Sequence, residues 1–288
     1  MIAVDWGTSS LRAYLMSDTG LILRQTEAAR GLLTIAPGGY PAVLAEVVGP
    51  WLPDERRVLI CGMAGSRQGW AEAPYLPCPA RPADLALATI AVAFEGAEVR
   101  IVPGLSDRDV DGVPEVMRGE ETQLAGVLGE DSLVCLPGSH SKWARVGGGR
   151  IEGFTTFLSG EAFAAIRHGT ILGRMMADAP HDPPAFARGV ERSAGHGHLL
   201  HQLFGVRTLG LFGELADTAS ASYLSGLLIG HEIRAAMPPD SRVLLVGAAA
   251  LCDLYADAIG RCGGHARIAA PDAAATGLFR IAGDVPWN

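Results

Sequence analysis

A short turn pattern occurs twice in the chain, and each copy follows an apolar segment that is typical of a buried strand. Gly7-Thr8-Ser9-Ser10 is the first copy and Gly138-Ser139-His140-Ser141 is the second. In both places a second strand, a glycine turn and a third strand are predicted next. Two regions with the same strand and turn order indicate an internal structural duplication. The sequence therefore predicts an α/β protein with two related halves, residues 1–130 and residues 131–288.

Composition excludes several classes of partner. Of the 288 residues, 49% are hydrophobic and 19% are charged, and the formal net charge is -8. An acidic chain lacks the basic field that a general nucleic-acid binder needs. No apolar run reaches the roughly 18 residues that span a bilayer, and Asp5 interrupts the segment where a signal peptide would be apolar. We expect no nucleic acid, no membrane and a cytoplasmic location; monomer and homodimer both stay open.

The cysteines and the clustered histidines do not indicate a redox or metal centre. Five cysteines form no CxxC pair, so free and mostly buried thiols are expected. His196, His198 and His201 are close in sequence, but the intervening glycines disrupt the helix that a metal site would need. The fingerprints of a dinucleotide-binding Rossmann fold and of a P-loop are both absent from the sequence.

The first turn is a candidate phosphate and metal site. Asp5 ends a predicted buried strand, where an unpaired acid is costly. Gly7 permits close approach to the backbone, and Thr8 and Ser9 offer hydroxyl and N–H donors to phosphate oxygens. Asp5 is the candidate ligand for Mg²⁺, directly or through water. The alternative is an ordinary hairpin that is stabilised by its own hydroxyl groups.

The second turn repeats this donor set. Gly138, Ser139 and Ser141 provide the glycine and the hydroxyls, while His140 and Lys142, the only lysine of the chain, are added. Two such turns would grip a polyphosphate from both sides, so a ligand of the ATP type is expected. Two unrelated glycine turns are the alternative. Whether Lys142 contacts a phosphate or only lies at the surface stays open.

Two further segments carry chemistry. Glu120 and Glu121 follow Gly119 at the predicted start of a helix over 120–128, where a carboxylate can act as a general base or merely stabilise the helix dipole. The loop after the strand at 58–61 contains four candidate substrate contacts. They are Ser66, Arg67, Gln68 and Trp70. Arginine binds carboxylates, glutamine binds hydroxyls and an indole packs on a sugar-like face, so a small hydroxylated anion is expected; a surface loop with a packed tryptophan is the alternative.

Gly247 is the last candidate contact. It follows a predicted strand, Arg242–Val246, and opens a run of alanines. Small residues at the end of a buried strand let a flat ring approach the backbone, which is typical of an adenine pocket. The same pattern is also common in ordinary α/β packing. Elsewhere, the apolar pattern of Leu85–Phe94 predicts a helix, and the segment GLSDRDVDG predicts a polar loop.

Six longer segments, spread over almost the whole chain, carry a family resemblance. They are DWGTSSLRAYL, GMAGSRQGWAEAPYLPCP, VPEVMRGEETQLAG, LPGSHSKWARV, TFLSGEAF and SYLSGLLIG. Together they resemble the 2-dehydro-3-deoxygalactonokinase family of the actin, Hsp70 and sugar-kinase superfamily. The resemblance implies two ribonuclease-H-like halves around an ATP cleft. It also implies that ATP, with Mg²⁺, phosphorylates the 6-hydroxyl of 2-dehydro-3-deoxy-D-galactonate in galactonate catabolism.

The same resemblance assigns roles to residues. It implies that the segment from Asp5 to Ser9 is the first phosphate motif, that Gly138 to Ser141 is the second, and that Gly247 opens the adenosine motif. Related sugar kinases place an aspartate after the glycine at the helix start, whereas two glutamates stand here, as in exopolyphosphatases. Glu120 and Glu121 are both candidate bases, with a slight preference for Glu121. An exopolyphosphatase-type phosphohydrolase and a non-catalytic actin-like ATP-binding switch are the competing hypotheses.

Overall fold

The computed structural model describes all 288 residues, which form fourteen strands and nine α-helices. The strands are β1 (Ile2–Trp6), β2 (Leu11–Met16), β3 (Ile22–Ala28), β4 (Arg57–Gly62), β5 (Tyr75–Pro77), β6 (Ile90–Val92), β7 (Glu98–Ile101), β8 (Gly104–Arg108), β9 (Pro114–Met117), β10 (Ser132–Leu136), β11 (Ser141–Gly147), β12 (Arg150–Phe157), β13 (Arg242–Leu245) and β14 (His265–Ile268). The helices are α1 (Tyr40–Val48), α2 (Pro82–Leu87), α3 (Glu120–Val127), α4 (Ser159–Gly169), α5 (Pro183–Arg192), α6 (Leu199–Leu211), α7 (Ser220–Ala236), α8 (Ala249–Arg261) and α9 (Ala273–Ala282).

The two larger sheets share one strand order over five strands, and the first sheet has a sixth strand, β6, at its edge. The first sheet has the order β3-β2-β1-β4-β7-β6, and the second has the order β12-β11-β10-β13-β14. In the first sheet β4 runs parallel to β1, and β7 runs parallel to β4. In the second sheet β13 runs parallel to β10, and β14 runs parallel to β13. Three successive strands at one edge, followed by two parallel strands, confirm the predicted pair of ribonuclease-H-like sheets.

The chain divides into two compact units. The first unit comprises residues 1–131, 144–154 and 272–288, and the second comprises residues 132–143 and 155–271. The halves predicted from the sequence, 1–130 and 131–288, differ from these units in the assignment of residue 131, of 144–154 and of 272–288. The C-terminal segment therefore belongs to the first unit, although it follows the whole of the second unit along the chain.

Glycine contacts between helices explain the position of the C-terminal segment. A Cβ atom at Gly277 of α9 would collide with the Thr122 carbonyl oxygen of α3, and one at Gly126 of α3 would collide with the Ala273 carbonyl oxygen of α9. The two helices thus cross with their backbones in contact. The second unit uses the same device, because a Cβ atom at Gly226 of α7 would collide with the Phe186 carbonyl oxygen of α5.

The core of the first unit forms between the sheet and α1. Ile2, Val4 and Trp6 of β1 pack in one cluster with Leu44 and Val48 of α1. Successive strand residues point to opposite faces, so these alternate positions of β1 share one face of the sheet. Asp5, between Val4 and Trp6, points to the other face and is half-buried there.

Two sequence-based predictions were wrong. The predicted helix Leu85–Phe94 is instead α2, which ends at Leu87, followed by the strand β6. The three apolar residues Ile90–Val92 pair with β7 as an antiparallel strand. The predicted loop GLSDRDVDG begins with β8, which pairs with β5 and β9 in a small third sheet. This small sheet is exposed on one side, so its strands carry polar side chains. A prediction based on apolar residues therefore missed the strand.

The cysteines and the lengths of the helices agree with a fold that has neither disulfide bonds nor membrane-spanning helices. All five cysteines are free thiols, and Cys61, Cys135 and Cys252 are buried. None of the helices combines the length and apolar character that crossing a membrane would require.

The contact between α3 and α9 gives a first prediction. Gly277→Ala places a methyl group against the Thr122 carbonyl oxygen, so α9 must move away from α3. Overpacking of this kind costs roughly 1–3 kcal/mol, and we expect a loss of that size in urea denaturation followed by circular dichroism. Gly260→Ala in α8 is the matched control because a Cβ atom there meets nothing within 4 Å. Equal denaturation midpoints for the two variants would contradict the packing described here.

Candidate active site

Acidic side chains of the first unit gather where β1, β4 and α3 meet. Asp5 near the end of β1 lies opposite Cys61 of β4, and the Cys61 thiol donates to Asp5 Oδ1 at 3.8 Å. Burial raises the pKa of Asp5 above its ordinary value; Arg12 opposes this shift and the neighbouring Glu120 adds to it. A desolvated carboxylate beside a second carboxylate is a place where a bound cation is stabilising.

Two glycines make this arrangement sterically feasible. Gly62 has φ 88° and Gly119 has φ 109°, a region that favours glycine. A Cβ atom at Gly62 would lie 2.7 Å from the Trp6 carbonyl oxygen, and one at Gly119 would lie 3.2 Å from the Gly62 Cα atom. The start of α3 therefore packs directly against the end of β4, which explains the glycine before the two glutamates.

The two glutamates occupy different environments. Glu121 is fully buried, and its carboxylate accepts hydrogen bonds from the Gly119 N–H at 2.6 Å and the Thr122 hydroxyl at 2.9 Å. Burial, with a further contribution from Glu120, raises the pKa of Glu121 to about 8. Glu120 is only half-buried, and its Oε2 accepts from the Arg118 N–H at 3.0 Å. Of the two, Glu120 is the one that a bound molecule can reach.

The first glycine turn has its carbonyl groups occupied. The N–H groups of Gly31, Leu32 and Leu33 donate to the carbonyls of Ser9, Gly7 and Thr8, at 3.1–3.2 Å. The side chains of Thr8 and Ser9 are exposed. A turn whose acceptors are already paired presents mainly donors to a ligand, which suits an anion.

The predicted substrate loop lines a cavity of about 380 Å³ in the first unit. Of the predicted substrate contacts, Arg67, Gln68 and Trp70 line this cavity, whereas Ser66 is buried and lies outside its lining. The sequence did not identify the other wall, which Tyr40 and its neighbours supply. The Tyr40 and Trp70 rings are stacked, with centroids 6.1 Å apart and an interplanar angle of 19°. The full lining is Ile35, Pro37, Gly38, Tyr40, Pro41, Arg67, Gln68, Gly69 and Trp70.

Arg67 is available to a ligand. Its side chain is 80% exposed, and its only ion pair, with Glu72, joins Nε and Oε1 at 3.5 Å. An exposed ion pair of this kind contributes little, about 0–1 kcal/mol, so a carboxylate ligand can replace Glu72 at small cost.

The second unit contains a cavity of about 420 Å³ whose polar end is the second glycine turn. Gly138 and Ser139, two of the predicted nucleotide contacts, lie there next to Ser159 and Gly160 at the start of α4. A Cβ atom at Gly160 would collide with the Gly138 carbonyl oxygen, and the Glu161 N–H donates to the Ser139 carbonyl at 3.0 Å. The other walls come from helices α4, α7 and α8. They include Phe163, Ala221, Ser222, Ser225, Leu228, Ile229, Leu251, Leu254 and Tyr255.

The remaining predicted nucleotide contacts lie outside this lining. His140 is exposed and pairs with the Glu161 carboxylate. Ser141 is fully buried, with its hydroxyl 2.8 Å from the Tyr255 hydroxyl, and Lys142 is 4% exposed. Gly247 is exposed and lies beside Pro137, since a Cβ atom there would be 3.6 Å from the Pro137 carbonyl oxygen.

A buried carboxylate is hydrogen-bonded to residues that pack beside the second glycine turn. Glu232 of α7 is 2% exposed and accepts from the Trp143 indole N–H at 2.8 Å and from the Tyr255 hydroxyl at 2.9 Å. Burial raises the pKa of Glu232 above its ordinary value. Tyr255 also lines the cavity, so the network connects β11 to the cavity wall. The signal for it in the sequence is a lone acid inside the apolar segment SYLSGLLIGHEI.

Comparison with known proteins decides the family. A family model described as 2-keto-3-deoxy-galactonokinase matches residues 5–281. The chain belongs to the 2-keto-3-deoxy-galactonokinase family. The matched range includes both glycine turns, the substrate loop and the two glutamates at the start of α3.

Members of this family are similar along most of the chain. The probable 2-dehydro-3-deoxygalactonokinase DgoK1 of Rhizobium meliloti (strain 1021) is 39% identical over 99% of this chain and 97% of its own length. The 2-dehydro-3-deoxygalactonokinase of Escherichia coli (strain K12) is 37% identical over 81% of this chain and 78% of its own length.

Solved structures support the fold. The crystal structure of a candidate 2-dehydro-3-deoxygalactonokinase from Sinorhizobium meliloti has a TM-score of 0.89 at 38% identity, and covers 98% of this chain and 97% of its own. The activator of 2-hydroxyisocaproyl-CoA dehydratase from Clostridium difficile has a TM-score of 0.53 at 12% identity, with 99% and 94% coverage. The latter likeness concerns the fold alone. The chain has the duplicated actin-like ATPase fold that the sequence predicted.

The environment of Glu121 gives a prediction for stability. Its pKa is about 8 in the folded protein and near its ordinary 4.5 in the unfolded chain, so folding takes up a proton between these values. The wild-type free energy of unfolding should therefore fall as pH rises from about 5 to 8, by at most about 1.4 kcal/mol per pH unit relative to Glu121→Gln. Urea denaturation of both proteins at several pH values measures this. Parallel pH profiles would contradict the raised pKa.

Proposed function

We propose that this protein transfers the γ-phosphoryl group of ATP to the 6-hydroxyl of 2-dehydro-3-deoxy-D-galactonate, in the catabolism of galactonate. Membership of the 2-keto-3-deoxy-galactonokinase family and the names of relatives at 37% and 39% identity support this pair of substrates. The carrying observation lies in the first unit, where β4 ends at the acidic cluster and continues directly into the loop that lines the smaller cavity. The proposed site for the sugar acid and the candidate base therefore both lie next to the end of β4.

The cavity of the second unit is the proposed nucleotide site. Its apolar walls on α7 and α8 suit the adenosine, and Gly138, Ser139 and the start of α4 suit phosphate oxygens. The free N–H groups at the start of a helix favour the binding of anions. Helix α4, with eleven residues, is long enough to provide such a start. We assign Thr8 and Ser9 as further phosphate donors, because the carbonyl groups of that turn are already paired. Gly7, whose N–H donates to the Ser10 carbonyl at 2.9 Å, is assigned as the residue that lets a phosphate approach the backbone.

Asp5 fits the role of a magnesium ligand. No group of three or more histidine, cysteine, aspartate or glutamate side chains forms a metal cage in the structure. Mg²⁺ bound with a nucleotide commonly uses one or two carboxylates together with phosphate oxygens and water, so a lone desolvated carboxylate beside Glu120 fits. When bound there, the ion would neutralise charge on the phosphates.

The smaller cavity suits the sugar acid. Arg67 is positioned for the carboxylate, and its planar guanidinium can bind both oxygens. Gln68 can exchange hydrogen bonds with hydroxyl groups. The stacked rings of Tyr40 and Trp70 form an apolar wall for the carbon chain.

Glu120 is the proposed general base, in place of the Glu121 that the sequence slightly favoured. Glu120 accepts the proton of the 6-hydroxyl while that oxygen bonds to the γ-phosphorus, and the bond between the γ-phosphorus and the bridging oxygen of ADP breaks. Glu121 is fully buried and holds the Gly119 N–H, so we assign it to positioning the start of α3.

Exchanging each glutamate for glutamine separates these roles. Glu120→Gln should lower kcat by about 10²–10⁴-fold, the usual contribution of a general base, with little change in KM for ATP. Glu121→Gln keeps a hydrogen-bond acceptor for Gly119 and should lower kcat by less than about 10-fold. Steady-state ADP release measures both variants. A large loss in Glu121→Gln together with near wild-type turnover in Glu120→Gln would return the base to Glu121.

Arg67 determines binding of the acceptor in this proposal. Arg67→Ala removes the partner of the substrate carboxylate, so KM for the sugar acid should rise by at least about 10-fold, the equivalent of one charged hydrogen-bonded pair. KM for ATP should stay within about two-fold. Arg24→Ala, an exposed arginine of β3, is the control and should alter neither constant. Equal increases of both constants in Arg67→Ala would refute the carboxylate contact.

ADP release with alternative acceptors tests the function itself. The acceptors are 2-dehydro-3-deoxygalactonate, its gluconate epimer, galactonate, common hexoses and water alone. The proposal predicts ADP release that depends on 2-dehydro-3-deoxygalactonate. Equal release with water alone would identify a phosphohydrolase, and bound ATP without release under any condition would identify a switch protein.

A further inference from the structure

The second unit has another cavity, which shares no lining residue with the nucleotide cavity. It has a volume of about 410 Å³ and lies among α5, α6 and α7. Its lining is Arg188, Arg192, Gly205, Thr208, Leu209 and Tyr223. None of these residues has a role in the proposed kinase reaction. We call it the Arg188–Arg192 cavity.

The charge of this cavity is positive, although the chain as a whole is acidic. Arg188 and Arg192 stand one helical turn apart on α5, so both guanidinium groups lie on one face of the helix. Arg192 makes no side-chain hydrogen bond or ion pair in the structure. Arg188 donates to the Glu214 carbonyl oxygen at 2.7 Å, and its nearest carboxylate oxygen, on the 61%-exposed Glu214 side chain, is 3.8 Å away. The positive charge is therefore only weakly compensated.

A buried phenol faces the same cavity. The Tyr223 side chain is 2% exposed, and its hydroxyl, which makes no hydrogen bond to the protein, is open to the cavity. Gly205 leaves space above it, because a Cβ atom there would still lie 4.0 Å from the hydroxyl oxygen. Arg188 Cζ is 5.9 Å from the centre of the Tyr223 ring. Burial raises the pKa of Tyr223 despite the two nearby arginines, so the phenol remains a hydrogen-bond donor.

Thr208 adds a second hydroxyl group. Its Oγ1 donates to the carbonyl oxygens of Phe204 and Gly205 at 3.5 and 3.4 Å, which are long and weak hydrogen bonds. Leu209 is the only large aliphatic side chain of the lining, so the cavity has no apolar slot for a base or an acyl chain. The side chains that line the cavity offer more hydrogen-bond donors than acceptors. A ligand that fits it must therefore supply acceptors.

We propose that the Arg188–Arg192 cavity binds the phosphate group of a small molecule, either as free phosphate or as a phosphomonoester. Two guanidinium groups can each give paired N–H donors to phosphate oxygens, and the Tyr223 hydroxyl gives another. The volume exceeds that of inorganic phosphate and leaves space for a short carbon chain. This site is independent of the kinase proposal because its residues line neither proposed substrate cavity.

Isothermal titration calorimetry tests this site in the full-length protein. The protein is first saturated with a non-hydrolysable ATP analogue and with the sugar acid, so that the proposed substrate sites are occupied. Inorganic phosphate is titrated in one series and the 6-phosphorylated sugar acid in another. The variants are Arg192→Gln, Tyr223→Phe and the control Arg242→Gln, which changes an exposed arginine at the start of β13. Circular dichroism and ADP release monitor folding and turnover.

The proposal predicts one site per chain in the wild type and in Arg242→Gln. Affinity should fall at least 10-fold in Arg192→Gln and by roughly 10–100-fold in Tyr223→Phe, the range for losing one hydrogen bond to a charged group. Equal affinities for the two ligands would show that the phosphate group alone is recognised. Tighter binding of the phosphorylated sugar acid would identify a phosphomonoester site.

Two results would overturn the proposal. One is the absence of binding for both ligands in the wild type. The other is binding whose affinity Arg192→Gln and Tyr223→Phe leave unchanged. Because turnover is measured separately, normal ADP release with no phosphate binding would refute this site and leave the proposed kinase activity standing.

Discussion

The parallel pairing of β1 with β4 is the constraint on which the site of the first unit depends. Its register places Asp5 opposite Cys61 and Trp6 opposite Gly62, so both strands end at one edge of the sheet. From that edge β1 continues into the first glycine turn and β4 continues into the loop of the smaller cavity. A shift of one residue would exchange the faces of β1, and would place Asp5 in the apolar core and Trp6 at the site.

Each unit also contains one buried carboxylate that stabilises a glycine-containing turn. In the first unit Glu121 accepts from the Gly119 N–H, and in the second Glu232 accepts from Trp143 and Tyr255. Burial raises the pKa of both acids. A buried acid is costly unless its oxygens are hydrogen-bonded, so each of them specifies one local arrangement of its neighbours.

The duplicated fold could be predicted from the sequence because its signal is local. Gly7 and Gly138 stand in similar turns after similar apolar strands, and the observed strand orders agree. Arg67, Gln68 and Trp70 could be found as a group because their chemistry and close spacing do not depend on the rest of the fold. The start of α3 was predicted for the same reason.

Other features depend on contacts between distant parts of the chain. The docking of α9 on α3 rests on glycines that leave no hydrophobic pattern, so the boundary of the units was not foreseen. Tyr40 reaches its cavity by stacking on Trp70, far along the sequence. Ser141 resembles Ser10 in the sequence, but its hydroxyl binds Tyr255 in the interior. Glu120 and Glu121 could be distinguished only by their burial.

The proposed reaction depends on one assignment, in which the sugar acid binds in the first unit and the nucleotide cavity lies in the second. Amide hydrogen exchange with each ligand alone tests it most directly. We expect the sugar acid to slow exchange around residues 35–41 and 66–70, and a non-hydrolysable ATP analogue to slow exchange around 138–139, 159–163 and 251–255. Protection of the first set by the nucleotide and of the second by the sugar acid would contradict the account.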